Sequence, residues 1–139
     1  MAILNSKVLL VEDSKFLRIA NERALSKAGF EVTTAADGEE ALKVANDKLP
    51  DIILLDMMLP KISGTEVLKA LKENPATTNI PVIVLTSLSQ MNEGKLLEAG
   101  AAAYFEKSSL DLDKSSEKLA ATIQAILGQV NPKKHAAKA

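Results

Sequence analysis

Three short stretches of this chain, Val8–Val11 (VLLV), Ile52–Leu55 (IILL) and Val82–Leu85 (VIVL), are apolar at every position. Side chains of a strand alternate between its two faces, so such a stretch can leave neither face in water. Strands buried on both faces belong to parallel sheets covered by helices, not to antiparallel sheets with one wet side. Between these runs lie segments with helical spacing of apolar residues, and strict β–α alternation of this kind implies an α/β domain with right-handed crossovers. The expected strands are Lys7–Val11, Phe30–Ala35, Asp51–Asp56, Pro81–Thr86 and Ala102–Phe105.

The helices follow from capping and spacing. Ser14 is a suitable N-cap for a helix in which Leu17, Ala20, Ala24 and Ala28 recur, with Gly29 as its stop. Asp37-Gly38-Glu39-Glu40 opens a second helix to about Lys48, with Ala41, Val44 and Ala45 facing inward. A loop containing Pro60 and Gly64 leads to a third that runs through Asn74 and closes at Pro75. A weaker helix, interrupted by Gly94, reaches Ala99 and stops at Gly100. Leu112, Leu119, Ile123, Ile126 and Leu127 form the apolar stripe of the last.

The chain has 139 residues, which fits one domain over residues 1–128 and a flexible basic tail over 129–139 (VNPKKHAAKA from Val130). A net charge of −1 gives no bulk field favouring nucleic acid or an anionic membrane. The absence of cysteine excludes a disulfide framework, a thiolate zinc site and a cysteine nucleophile. No apolar run approaches the roughly 20 residues that a membrane helix needs. The start, Met1 to Lys7, is too short and too soon polar for a signal peptide. A cytoplasmic protein with no membrane contact and no direct nucleic acid binding is the expectation.

In open parallel sheets, ligands bind beyond the carboxyl ends of the strands, at the switch in strand order. Glu12 and Asp13 follow the first strand, Asp56 ends the third, Thr86 ends the fourth and Lys107 lies just past the fifth. Each has an ordinary reading: acids at a helix N-terminus, an N-cap, a solvated lysine. Together they make a specific chemistry. Three crowded carboxylates repel one another unless a cation sits among them. Hard oxygen ligands suit Mg²⁺, which prefers carboxylates together with phosphate oxygens. A hydroxyl on Thr86 and an ammonium on Lys107 would hold phosphoryl oxygens, leaving Asp56 as an in-line nucleophile.

The motifs VLLVEDS, DIILLDMMLPKISG, PVIVLTS and GAAAYFEKS resemble those of the receiver domain of two-component response regulators, over about Lys7 to Leu127. The resemblance implies a doubly wound, five-stranded parallel sheet of flavodoxin-like type, order 2-1-3-4-5, with helices on both faces. It implies that Asp56 accepts a phosphoryl group from a sensor histidine kinase or a phosphotransfer protein. Asp13, Asp56 and the backbone carbonyl of Met58 would bind Mg²⁺ directly, with Glu12 acting largely through metal-bound water. Thr86 and Lys107 would contact the phosphoryl group, and Tyr104 would change rotamer as Thr86 moves. Met58 and Leu88 match positions that gate hydrolysis of the phosphoaspartate. One departure is that Ser108 follows Lys107 where the family usually has proline after a cis bond. A non-proline cis bond costs about 2.5–4 kcal/mol, which favours a trans Lys107–Ser108 bond.

Two enzyme classes share parts of this pattern and fail at named residues. A flavodoxin-type FMN carrier needs a Ser/Thr/Gly-rich phosphate loop after the first strand, where Glu12 and Asp13 would repel the phosphate. A haloacid-dehalogenase-type phosphatase needs an acid two residues after its aspartate, where this chain has Met58. The expected protein is therefore not an enzyme beyond its own phosphorylation and dephosphorylation. It is a single-domain signalling switch that docks to a downstream protein; the alternative is an isolated receiver module of a larger response regulator or hybrid kinase.

Overall fold

The structure, a computed structural model, describes residues 6–57, 59, 62–86, 100–106 and 121–127, with Thr86 and residues 104–106 described through their backbone. Its elements in chain order are β1 (Lys7–Val11), α1 (Lys15–Lys27), β2 (Glu31–Ala35), α2 (Gly38–Lys48), β3 (Ile52–Asp56), α3 (Gly64–Glu73), β4 (Val82–Thr86) and β5 (Ala103–Glu106). Residues 121–127 are helical as well. The five strands form one sheet in the order β2-β1-β3-β4-β5, with every neighbouring pair parallel.

The all-apolar runs are explained by two separate cores, one on each side of the sheet. Leu9, Val11, Ile53, Leu55, Val82 and Val84 face α2 and α3, where they meet Ala41, Ala45, Val67, Leu68 and Leu71. The alternate residues Val8, Leu10, Ile52, Leu54, Ile83 and Leu85 face Leu25 and Phe30, together with Ile123 and Leu127 of the helical residues 121–127. Each residue of the apolar runs in β1, β3 and β4 is thus in a core whichever way it points, as the doubly wound arrangement demands. Among the described residues no helix is long and apolar enough to cross a membrane.

Helix ends follow their local chemistry. Ser14, Asp37 and Ser63 are the N-caps of α1, α2 and α3, and their side-chain oxygens accept from the amides of Leu17, Glu40 and Glu66. At the end of α1, Phe30 N donates to Leu25 O at 3.1 Å and Gly29 N donates to Ser26 O at 3.0 Å. This is a Schellman closure, and Gly29 supplies the left-handed residue it needs, at φ 103°. The sequence does not announce that Leu49 closes α2 in the same region, at φ 47°, one residue before Pro50.

Element by element, the expected boundaries shift slightly. Phe30 is a buried side chain just ahead of β2 and not part of it, β4 starts at Val82, and β5 runs one residue later, to Glu106. Gly64 opens α3 instead of preceding it. The larger correction concerns α1, whose buried residues are Asn21 and Leu25, while Leu17, Ala20 and Ala24 are half-buried and Ala28 is exposed. The bulk of Leu25, not the spacing of the alanines, sets the inward direction. The expected helix before Gly100, the start of the last helix and the tail lie outside the described residues.

Candidate functional site

β1 and β3 are neighbours at the point where the strand order reverses, so their carboxyl ends open into the same crevice. Pairing Val11 with Leu55 brings Glu12, the next residue, level with Asp56. The ligand oxygens of Glu12, Asp13 and Asp56 all lie within 4.8 Å of one another. Glu12 and Asp56 are fully buried and Asp13 is exposed, so the cluster has a protected floor and one open side.

Each acid is held differently. Glu12 extends the β1–β2 pairing through its amide, which donates to Ala35 O at 3.0 Å, and its Oε2 accepts from Ser14 N at 3.1 Å. Asp56 is the last residue of β3, and Met57 N beyond it donates to Leu85 O at 3.0 Å. No hydrogen bond or ion pair of the Asp13 carboxylate is found among the described residues, so its place depends on the turn that carries it. Arg18 reaches back from α1 to that turn: its Nη1 donates to Glu12 O at 2.9 Å and to Asp13 O at 3.4 Å. The sequence reading does not single out Arg18; the available signal is a cation one turn into a helix whose first turn holds no acid.

The far wall of the crevice is closed by the start of α3. Gly64 N donates to Met57 O at 3.1 Å. A Cβ on Gly64 would lie 2.5 Å from Met57 Cα and 2.7 Å from Asp56 O, so only a residue without a side chain lets α3 come this close. The expectation that Gly64 shapes the segment after Asp56 thus has a steric cause. Met57 packs against the core beside α2 and α3, as its apolar character implies.

Of the other expected site residues, Thr86 is the last residue of β4, its backbone paired with Glu106, and Tyr104 lies in β5 opposite Val84. Both are therefore on strands next to Asp56 or one strand removed. Met58, Leu88, Lys107 and the Lys107–Ser108 bond lie outside the described residues.

The donor set is compatible with Mg²⁺. Three carboxylates converge from two strand ends, all hard oxygen donors, and the exposed side at Asp13 leaves room for the water that Mg²⁺ retains. Among the described residues this convergence gathers three acids, which suits a cation better than an unaccompanied anion.

Residues 8–120 match the family model described as the response regulator receiver domain. The chain is 40% identical over 105 residues to the alkaline phosphatase synthesis transcriptional regulatory protein PhoP of Bacillus subtilis, covering 75% of this chain and 43% of that protein. It is 43% identical over 109 residues to the gliding motility regulatory protein of Myxococcus xanthus, covering 77% of this chain and 14% of that protein. Among solved structures, the chemotaxis response regulator CheY4 of Vibrio cholerae superimposes with a TM-score of 0.77 at 32% identity, over 88% of this chain and 98% of that one. A putative response regulator from Chloroflexus aurantiacus gives 0.77 at 31%, over 89% and 98%. The chain thus spans under half the length of these two curated relatives but nearly all of the solved receivers.

Proposed function

Because the chain belongs to the response regulator receiver domain family of two-component signalling, we propose that it is a phosphoacceptor switch in which Asp56 takes a phosphoryl group from a histidine kinase or phosphotransfer protein. The observation that carries this reading is the position of Asp56. It is a fully buried carboxylate at a strand end, with two further acids from another strand end inside 4.8 Å.

A bound Mg²⁺ would supply the positive charge that lets a phosphoryl group approach three acids. Asp13, Asp56 and the Met58 carbonyl would hold the ion directly in this reading, and Glu12 would contribute through water. The Asp56 oxygen attacks the phosphorus in line as the donor's phosphoryl–nitrogen bond breaks. The Thr86 hydroxyl would donate a hydrogen bond to a phosphoryl oxygen, and the Lys107 ammonium would offset the charge on the phosphoryl group. The phosphoryl group then draws Thr86 toward it, and Thr86 moving together with Tyr104 alters the surface around β5 that a downstream protein reads. Such a shift needs contacts that differ between the two states. Met58 and Leu88, both apolar, can neither orient nor activate water, so self-dephosphorylation is slow.

In this reading these residues act in the cytoplasm as a signalling switch, not as an enzyme on other substrates. The transcriptional regulators it matches are longer than the matched part, with PhoP covered to 43% and PhoB of Rhizobium meliloti to 54%. Freedom from nucleic acid is therefore proposed for these 139 residues alone. Incubation with Mg²⁺ and acetyl phosphate, read by intact mass, tests the core of the reading. One phosphoryl group is expected on the wild type and none on Asp56→Asn; equal uptake by the variant would refute the assignment.

A further inference from the structure

A lone exposed carboxylate cannot define a cation site unless its backbone is held. Asp13 is that carboxylate, and the turn beneath it is bound by Arg18, whose Nη1 donates to Glu12 O at 2.9 Å and Asp13 O at 3.4 Å. The placement runs against local preference. Acids favour and cations disfavour the N-terminal turn of a helix. α2 and α3 carry acids there (Glu39, Glu40 and Glu66), whereas α1 has none and starts with Lys15, with Arg18 one turn in. With no acid in that turn to draw it, Arg18 is oriented by what it touches, the carbonyls of the acidic turn. Local rules broken in this way concentrate at functional sites.

We propose that Arg18 is a positioning residue for the divalent cation site: by clasping the carbonyls of Glu12 and Asp13 it fixes the turn that aims the Asp13 carboxylate toward Asp56. The inference rests on the reading of the three acids as a Mg²⁺ site. The geometry also separates two roles that a cation beside acids could have. As a charge alone, Arg18 repels Mg²⁺, and its removal tightens Mg²⁺ binding. As a clasp, its removal lets the turn rotate and weakens binding, because partners that orient metal ligands typically matter by about 10–100-fold in affinity.

Calorimetric titration with MgCl₂ on wild type, Arg18→Met and Arg18→Lys decides between them, alongside thermal melts in EDTA. The expected result is Mg²⁺ affinity weakened roughly 10-fold or more in Arg18→Met, with an intermediate value in Arg18→Lys, which keeps the charge and one donor. Tighter or unchanged binding in Arg18→Met overturns the proposal, including where its EDTA melting temperature falls, since that is a structural role only. Should Arg18→Met not fold, Arg18→Lys carries the test: weaker binding supports the clasp and equal binding overturns it. A wild type that binds no Mg²⁺ removes the cation-site reading and this inference together; wild-type binding with an indifferent Arg18 removes this inference alone.

Discussion

Lys72 shows how a single residue can be placed by its stem and its head at once. It lies on α3, half-buried, and its Nζ donates to Ile80 O at 2.8 Å and Thr78 O at 3.2 Å, closing the segment that leads to β4. Burial holds its pKa below the ordinary 10.5. A lysine lowered on folding is deprotonated more readily in the native state. Between the lowered pKa and 10.5 the unfolded chain therefore binds more protons, and stability rises with pH across that window. Below the window the penalty for the buried charge is constant. Lys72→Met keeps the stem and removes the titration. Urea denaturation at several alkaline pH values should show the wild type gaining stability relative to Lys72→Met as pH approaches 10.5; parallel curves would contradict it. The segment's backbone depends on a residue that the sequence analysis does not single out, because only the fold brings the Thr78 and Ile80 carbonyls to its ammonium.

At the scale of elements, local signals and packing divide the work. Caps and stops are local, which is why Ser14, Asp37 and Gly29 act where their chemistry predicts. The rotation of a helix about its axis is not local. α1 has an alanine stripe at the right spacing, yet it presents Leu25 to Phe30, Ile123 and Leu127 and leaves Ala28 exposed. Leu25→Ala should therefore cost about 2–5 kcal/mol, the range for a leucine truncated in a close-packed core. Ala28→Ser, on the stripe that the spacing favours, should change stability by no more than about 0.5 kcal/mol. Denaturant titration of both variants checks the assignment, and comparable losses would restore the alanine face as the buried one.

For the whole molecule, the proposed cation site makes a prediction: the acids gathered at the β1 and β3 ends would repel one another less with Mg²⁺ among them. Mg²⁺ bound by the native state alone stabilises it by mass action, about 2.7 kcal/mol at 100 times Kd. Thermal melts should shift upward with Mg²⁺ in the wild type. Asp13→Asn should melt higher than the wild type in EDTA and respond less to Mg²⁺, because it removes one repelling charge and one ligand together. A melting temperature indifferent to Mg²⁺ would count against a shared site. What the sequence by itself determined was the class of fold and the identity of the three acids. Fully apolar runs leave a strand no wet face, and the carboxyl ends of parallel strands are where such sheets keep their polar residues. Only the tertiary structure decided how those residues meet. The parallel register sets Glu12 level with Asp56, Gly64 lets α3 close against Asp56, and Arg18 turns back from its own helix onto the acidic turn. The physical reason is range: turn and strand signals act over a few neighbours, whereas these contacts join residues that the sheet alone brings together, or, for Arg18, depend on which way one side chain folds back.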